Sequence, residues 1–226
     1  MKKEKKKLNK YEKWFRFLHF IVRTVYRVFY PYKRYGCTEM HDDRAYIFVG
    51  NHYSVLDVAP VALATKKPIH FMAKSSLFEK GFLKWFCEKS QAIKVNRDGT
   101  DYRAIMEAMK YLKSGEHLAI FPEGTRNKNK NIDINGEIFL PFKSGATAIS
   151  IKTKTPIVPV MQVKKIRFLR KTPIFYGESI EFTEYYDKRL TEEDIEKCDN
   201  MLREKMREIY LEFYNLINKK KKSKQK

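Results

Sequence analysis

The run Asn51-His52-Tyr53-Ser54-Val55-Leu56-Asp57 places an imidazole five residues before a carboxylate. A carboxylate that accepts a hydrogen bond from one ring nitrogen fixes the tautomer and leaves the other nitrogen free to take a proton. On a continuous helix the two positions lie about 140° apart and do not meet. If Ser54 is the N-cap, Asp57 becomes N3 in the first turn, and the preceding loop can fold His52 back towards the carboxylate. The same residues also read as a plain capping box, with Ser54 and Asp57 closing the helix start and His52 a polar loop residue.

A second cluster, Phe121-Pro122-Glu123-Gly124-Thr125-Arg126, packs a carboxylate, a glycine backbone, a hydroxyl and a guanidinium into four positions. Gly124 permits close backbone approach to a ligand, and Arg126 can grip a phosphate through two parallel hydrogen bonds. Arg97 and Lys143 are further cations at expected strand or turn ends. Three such cations could form one anion site; each singly reads as a solvated charge. The five histidines are scattered without His-x3-His or His-Glu-x-x-His spacing, so no metal site is expected.

These residues sit where strands are expected to end. Ala45–Val49, Ile69–Ala73, Ala92–Val95, His117–Phe121, Ile157–Val163 and Pro173–Phe182 are short apolar runs of strand length. Helical patterns over Ser54–Ala64, Phe78–Lys89, Thr100–Leu112, Gly145–Ile151 and Thr191–Ile217 alternate with them. Strands alternating with helices indicate an α/β domain: a mixed, mostly parallel sheet flanked by helices. In such sheets functional groups gather beyond the strand C-termini, where both clusters fall.

Ahead of this domain, residues 11–31 read as an amphipathic helix ended by Pro31. Arg16, His19, Arg23 and Arg27 recur within about 80° of one another. Trp14, Phe17, Leu18, Ile21, Val25 and Val28 supply a wide apolar arc. No uncharged run approaches the roughly 20 residues that span a bilayer, and no signal-peptide pattern is present. An aromatic helix with a narrow cationic stripe suits the plane of a membrane interface. A core-facing helix is the alternative, and both can hold for different parts of it. Residues 32–217 then form the folded domain, between basic tails at 1–10 and 218–226 expected to be disordered.

The 226 residues carry a net charge of +20, eleven of it within residues 1–10 and 217–226. Nucleic acid, an anionic membrane surface or a phosphorylated substrate would answer that charge. The chain lacks helix-turn-helix, zinc-finger and RNP-like signatures, which argues against nucleic acid. At 43% apolar residues it can bury a core. Three dispersed cysteines argue against a disulfide framework and fit a reducing compartment.

His-x4-Asp, an Arg about 40 residues on, Phe-Pro-Glu-Gly-Thr-Arg and then Thr155-Pro156-Ile157-Val158-Pro159-Val160, in that order, resemble the glycerolipid acyltransferases, most closely the 1-acylglycerol-3-phosphate acyltransferases. The resemblance covers roughly residues 35–182. Around Arg97 the chain departs from the family pattern, with Gln91 for the usual Gly and Lys94 for the usual Pro. The resemblance implies acyl transfer from acyl-CoA or acyl-carrier protein to lysophosphatidic acid, giving phosphatidic acid in phospholipid biosynthesis. It implies His52 as general base and Asp57 as its orienting carboxylate, with no covalent intermediate and no cofactor. Arg97, Gly124, Thr125, Arg126 and Lys143 would then face the substrate, with Glu123 on glycerol oxygens or ordering the cations. Glycerol-3-phosphate or another lysophospholipid is the alternative acceptor, and a nucleic-acid-binding protein or an inactive adaptor the alternative class. Lys-rich composition without a signal peptide places the chain, as an expectation, at the cytoplasmic face of a membrane.

Overall fold

A computed structural model describes residues 9–37, 44–96, 99, 101–127, 138–143 and 145–222. Seven strands form one sheet: β1 (Tyr32–Gly36), β2 (Ile47–Gly50), β3 (Ile69–Lys74), β4 (Ile93–Val95), β5 (His117–Ile120), β6 (Ile157–Gln162) and β7 (Thr172–Tyr176). Their order across the sheet is β1-β7-β6-β2-β5-β3-β4. Every neighbouring pair is parallel except β6 and β7, so the expected mixed, mostly parallel sheet is found. β2, β5 and β6 are buried at every position, as continuous apolar strands covered on both faces should be.

Helices supply the two covers. On one face, α4 (Tyr102–Lys113), α5 (Ala146–Thr153) and α6 (Glu192–Lys222) pack Ala108, Leu112, Ile149, Leu202 and Met206 against Ile47, Val49 and Ile157. On the other, Phe15 of α1 (Lys10–Phe29) and Val61 of α2 (Val58–Ala62) pack against Phe48, Ala119, Val158 and Val160. The remaining helix, α3 (Gly81–Lys89), follows β3.

α1 begins one residue earlier than the spacing predicts because Asn9 caps it, accepting from the Glu12 N–H while Glu12 reaches back. Tyr11, Phe15 and Tyr26 are buried, whereas Phe17, Ile21, Val25 and Val28 are exposed, and Trp14 and Leu18 are half-buried. One face of this helix therefore packs on the domain, and another carries apolar side chains at the surface. The expected basic tail over residues 1–10 lies mostly outside the described residues, with Lys10 already helical. At the other end α6 runs five residues past Ile217, so 218–222, read as tail, are helical; 223–226 lie outside the described residues.

Three further expectations change in detail. The helix expected over Ser54–Ala64 is a 3-10 turn, Val55–Asp57, followed by the short α2. The strand expected over Pro173–Phe182 ends at Tyr176, and only Ile180 returns to pair with Ile157. β1 is a strand that sequence reading missed. It carries Lys33 and Arg34 and lacks an apolar run, and its partner β7 lies far along the chain. Among the described residues no helix is long and apolar enough to cross a membrane.

Candidate active site

Parallel pairing brings the C-terminal ends of β2 and β5 to one edge of the sheet, with His52 two residues beyond Gly50 and Phe121 directly after Ile120. Asn51 fixes the end of β2. Its side chain donates to the Gln162 carbonyl at 2.7 Å and accepts from the Gln162 N–H at 3.0 Å. The chain then turns so that Ser54 caps the 3-10 turn.

His52 Nδ1 lies 3.1 Å from Asp57 Oδ2. The same oxygen accepts the backbone N–H groups of Tyr53 and Ser54 at 2.5 and 2.6 Å, and the Ser54 hydroxyl donates to Oδ1 at 3.0 Å. The capping box and the His–Asp pair, alternatives in the sequence, are one structure sharing one carboxylate. With its side chain only 2% exposed, Asp57 is held as an acceptor by charge-assisted bonds. Its network assigns the proton on His52 to Nδ1 and leaves the Nε2 lone pair to receive one. The imidazole stacks on Phe121 with ring centroids 4.3 Å apart, which fixes its plane.

Glu123 has backbone partners that its place in the sequence does not announce. It is buried, accepts the His52 N–H at 3.1 Å through Oε1 and accepts the Leu140 N–H at 3.0 Å through Oε2. Burial pushes its carboxyl above the usual range, against the pull of these two N–H groups and of His52. The next turn closes through the Asn127 N–H, which donates to the His52 carbonyl at 2.7 Å. Glu123 and Asn127 thus hold both backbone groups of His52. Nothing in the spacing of Asn127 or Leu140 could have signalled this.

Of the expected anion ligands, Lys143 lies against the Gly124 turn. Lys143 donates its backbone N–H to the Pro122 carbonyl at 2.8 Å, and its side chain runs across Gly124. Gly124 has φ +63°, and an added Cβ would meet Lys143 Cδ at 3.0 Å, so glycine is needed for both conformation and space. Thr125, Arg126 and Lys143 are exposed. Arg97 lies outside the described residues. A cavity of about 440 Å³ opens beside this group, lined by Met72, Val95, Ile105, Phe121, Gly124 and Lys143 among others. Its wall is mainly apolar, with Asp101 and Lys143 as its charged residues, and Phe121, which stacks on His52, is part of it.

The family model described as Acyltransferase matches residues 33–163, which include both clusters. A 1-acyl-sn-glycerol-3-phosphate acyltransferase of Bacillus subtilis (strain 168) is 30% identical over 128 residues, covering 56% of this chain and 60% of that protein. One of Helicobacter pylori (strain J99) is 28% identical over 181 residues, covering 78% of this chain and 73% of that protein. The chain therefore spans about three fifths of the first of these relatives and about three quarters of the second. The crystal structure of the 1-acyl-sn-glycerophosphate acyltransferase PlsC from Thermotoga maritima superposes with a TM-score of 0.58 at 23% identity, covering 87% of this chain and 78% of that one. That likeness speaks for the fold.

Proposed function

This chain belongs to the acyltransferase family, and on that premise we propose that it transfers an acyl group from a thioester donor to the sn-2 hydroxyl of 1-acylglycerol-3-phosphate, forming phosphatidic acid. The observation that carries this reading is the His52–Asp57 pair at the end of β2, with its carboxylate locked by backbone N–H groups. The curated relatives bear the names of enzymes with that acceptor.

In this reading the acceptor hydroxyl attacks the thioester carbonyl while His52 Nε2 takes its proton. The new C–O bond forms, the C–S bond breaks, and the thiolate leaves with a proton returned by the imidazolium. Asp57 orients the ring and stabilises its cation. A positioned general base contributes about 10²–10⁴-fold. The thioester is already activated, so no serine or cysteine nucleophile is required. Arg126 and Lys143, with Arg97, hold the acceptor phosphate, and Gly124 and Thr125 shape the turn beneath it. The donor is acyl-CoA or acyl-carrier protein, and no cofactor enters. Both lipid substrates reside in membranes. The outward face of α1 supports peripheral attachment to a bilayer, and the Lys-rich composition supports an anionic, cytoplasmic surface.

The test is radiolabelled acyl transfer from each donor to lysophosphatidic acid and to glycerol-3-phosphate in mixed micelles, for wild type and His52→Ala. Phosphatidic acid formed by wild type and lost in a folded His52→Ala protein is expected. Transfer to glycerol-3-phosphate alone would change the acceptor, and transfer surviving in His52→Ala would remove the base.

A further inference from the structure

We propose that the chain docks on an anionic bilayer through three contiguous elements: α1, α3 and the hairpin of residues 165–171 between β6 and β7. The proposal rests on the reading that the enzyme works at a lipid surface, and it assigns that contact to two elements besides α1.

The hairpin carries the first observation. Arg167 and Arg170 pair across it, and Leu169 sits at φ +53°, a region that L side chains seldom occupy. This turn sets Phe168 and Leu169 outward, 58% and 62% exposed, while Ile166 turns in against Tyr26 and Leu63. Lys165, Arg167, Arg170 and Lys171 surround the pair, all exposed, and no acidic residue lies between 164 and 171. Two large apolar side chains in a ring of cations match the boundary between acyl chains and anionic headgroups. The hairpin is fixed to the end of α1: the Leu169 N–H donates to the Phe29 carbonyl at 2.7 Å, and Phe168 stacks on Phe29 at 5.8 Å.

The second observation is α3. Of its nine residues only Cys87 is buried, while Phe82, Leu83 and Trp85 are 70%, 54% and 45% exposed. A helix packed for a soluble core would present the reverse. Lys80 stands just before it and Lys84 and Lys89 lie within it, with Glu79 and Glu88 as the acidic residues of the same segment. Trp85 meets Trp14 of α1 edge-on at 5.7 Å, and Phe82 adjoins Trp85 at 5.5 Å.

Between these contacts runs the exposed stripe Phe17, Ile21, Val25 and Val28, spaced to share one face of α1. The apolar surface is therefore continuous over the 20 residues of α1, about 30 Å, with α3 at one end and the hairpin at the other. Contiguous patches of this extent are uncommon on soluble monomers and mark an interaction site. Charge selects the occupant: the hairpin ring is all cationic, with no acidic residue between 164 and 171, and an anionic bilayer complements it, whereas a second copy would bring a surface of the same composition. β3 leads into α3 and lines the cavity with Met72 and Ala73, so docking here sets the lipid surface near the cavity.

The chain has two tryptophans, Trp14 and Trp85, and both lie where α1 meets α3. Flotation with vesicles of phosphatidylglycerol and phosphatidylethanolamine, and tryptophan quenching by lipids brominated near the headgroup, test the docking directly; Trp85→Phe separates the two signals. Wild type is expected to bind these vesicles but not phosphatidylcholine, with both tryptophans quenched. Phe168→Ser/Leu169→Ser and Phe82→Ser/Leu83→Ser, with unchanged thermal melts, should each lower the partition coefficient about tenfold or more. Wild-type partitioning in both variants, or a bound protein whose tryptophans escape quenching, would overturn the proposal. So would a lipid-free dimer in sedimentation that these variants dissolve. Transfer between water-soluble short-chain substrates should persist in both variants; its absence from wild type would count against the acyltransferase reading and not against the docking surface.

Discussion

The side chain of Glu123 holds the backbone N–H of His52 at 3.1 Å and that of Leu140 at 3.0 Å, so one buried carboxylate joins the loop bearing the proposed base to the segment 138–143. Glutamine at this position can accept only one of the two bonds and turns its amide hydrogens towards the other donor. Glu123→Gln is therefore expected to cost about 1–3 kcal/mol of stability and to lower kcat more than it raises the KM for acceptor. Urea unfolding together with steady-state kinetics checks this. A variant with wild-type kcat would show that His52 needs no such support.

Asp57 accepts from the backbone at Tyr53 and Ser54 and from the His52 ring through one oxygen. Asp57→Asn keeps the volume but offers fewer acceptor sites and removes the charge opposite the imidazolium. It also favours the ring tautomer with its proton on the wrong nitrogen. A fall in kcat of about 10³–10⁴-fold is expected, on the scale of a triad carboxylate replaced by its amide, with a modest change in KM. Single-turnover transfer at saturating donor measures it free of product release.

At Gly124 the backbone is left-handed, and an added methyl group would press on the Lys143 stem at 3.0 Å. Gly124→Ala should cost about 1–2 kcal/mol for the conformation alone and displace Lys143 from its proposed place at the acceptor phosphate. The KM for acceptor is expected to rise while the KM for donor stays near wild type. Equal rises in both would assign the turn to overall folding.

What could be read from the sequence follows the range of the interactions. His52 and Asp57 share one local turn, and the strand-to-helix switch before them is visible in six residues. Phe121–Arg126 follows β5 in the same way. Glu123 sits inside that cluster, but its hold on the backbone is not legible there, because its partners His52 and Leu140 lie 71 and 17 residues away and its burial is a property of the folded core. β1 escaped notice because its stability comes from pairing with β7 and not from its own apolar content. α3 was legible as a helix, yet a segment as apolar as Phe82–Phe86 looks like core until the fold leaves it outside.

His117, the first residue of β5, is buried; its Nδ1 accepts the Tyr46 N–H at 3.0 Å and its Nε2 faces the Thr65 hydroxyl at 3.4 Å. Burial, helped by Lys67, pushes its pKa down to about 3, so the ring stays neutral in the folded chain. An unfolded chain takes up that proton near 6.5. The stability associated with neutral His117 is therefore whole above pH 6.5, declines as the pH falls, and is fully lost near 3. The loss by pH 4 is up to about 3 kcal/mol. Glu123 works in the opposite sense at acid pH, since its raised pKa lets the folded chain take a proton first. Asparagine can still accept from Tyr46, so His117→Asn is expected to flatten the acid limb of a urea-midpoint profile between pH 6.5 and 4. An unchanged slope would assign the acid sensitivity to other groups.

A contact from α1, the helix proposed to face lipid, reaches the turn that carries Asp57. Tyr26 of α1, buried and with its phenol pushed towards the protonated form by that burial, donates to the Leu56 carbonyl at 2.5 Å. Leu56 precedes Asp57 within the 3-10 turn that carries the carboxylate. Seating α1 in a bilayer would therefore bear on the backbone that holds Asp57. Tyr26→Phe removes one hydroxyl and leaves the packing intact, at a cost of about 0.5–1.5 kcal/mol for a typical hydrogen bond. Amide exchange at Asp57 and Val58 is expected to quicken in the variant, and bound vesicles should slow it less than in wild type. If exchange there responds equally to vesicles in both proteins, the turn is ordered without Tyr26, and α1 serves attachment alone.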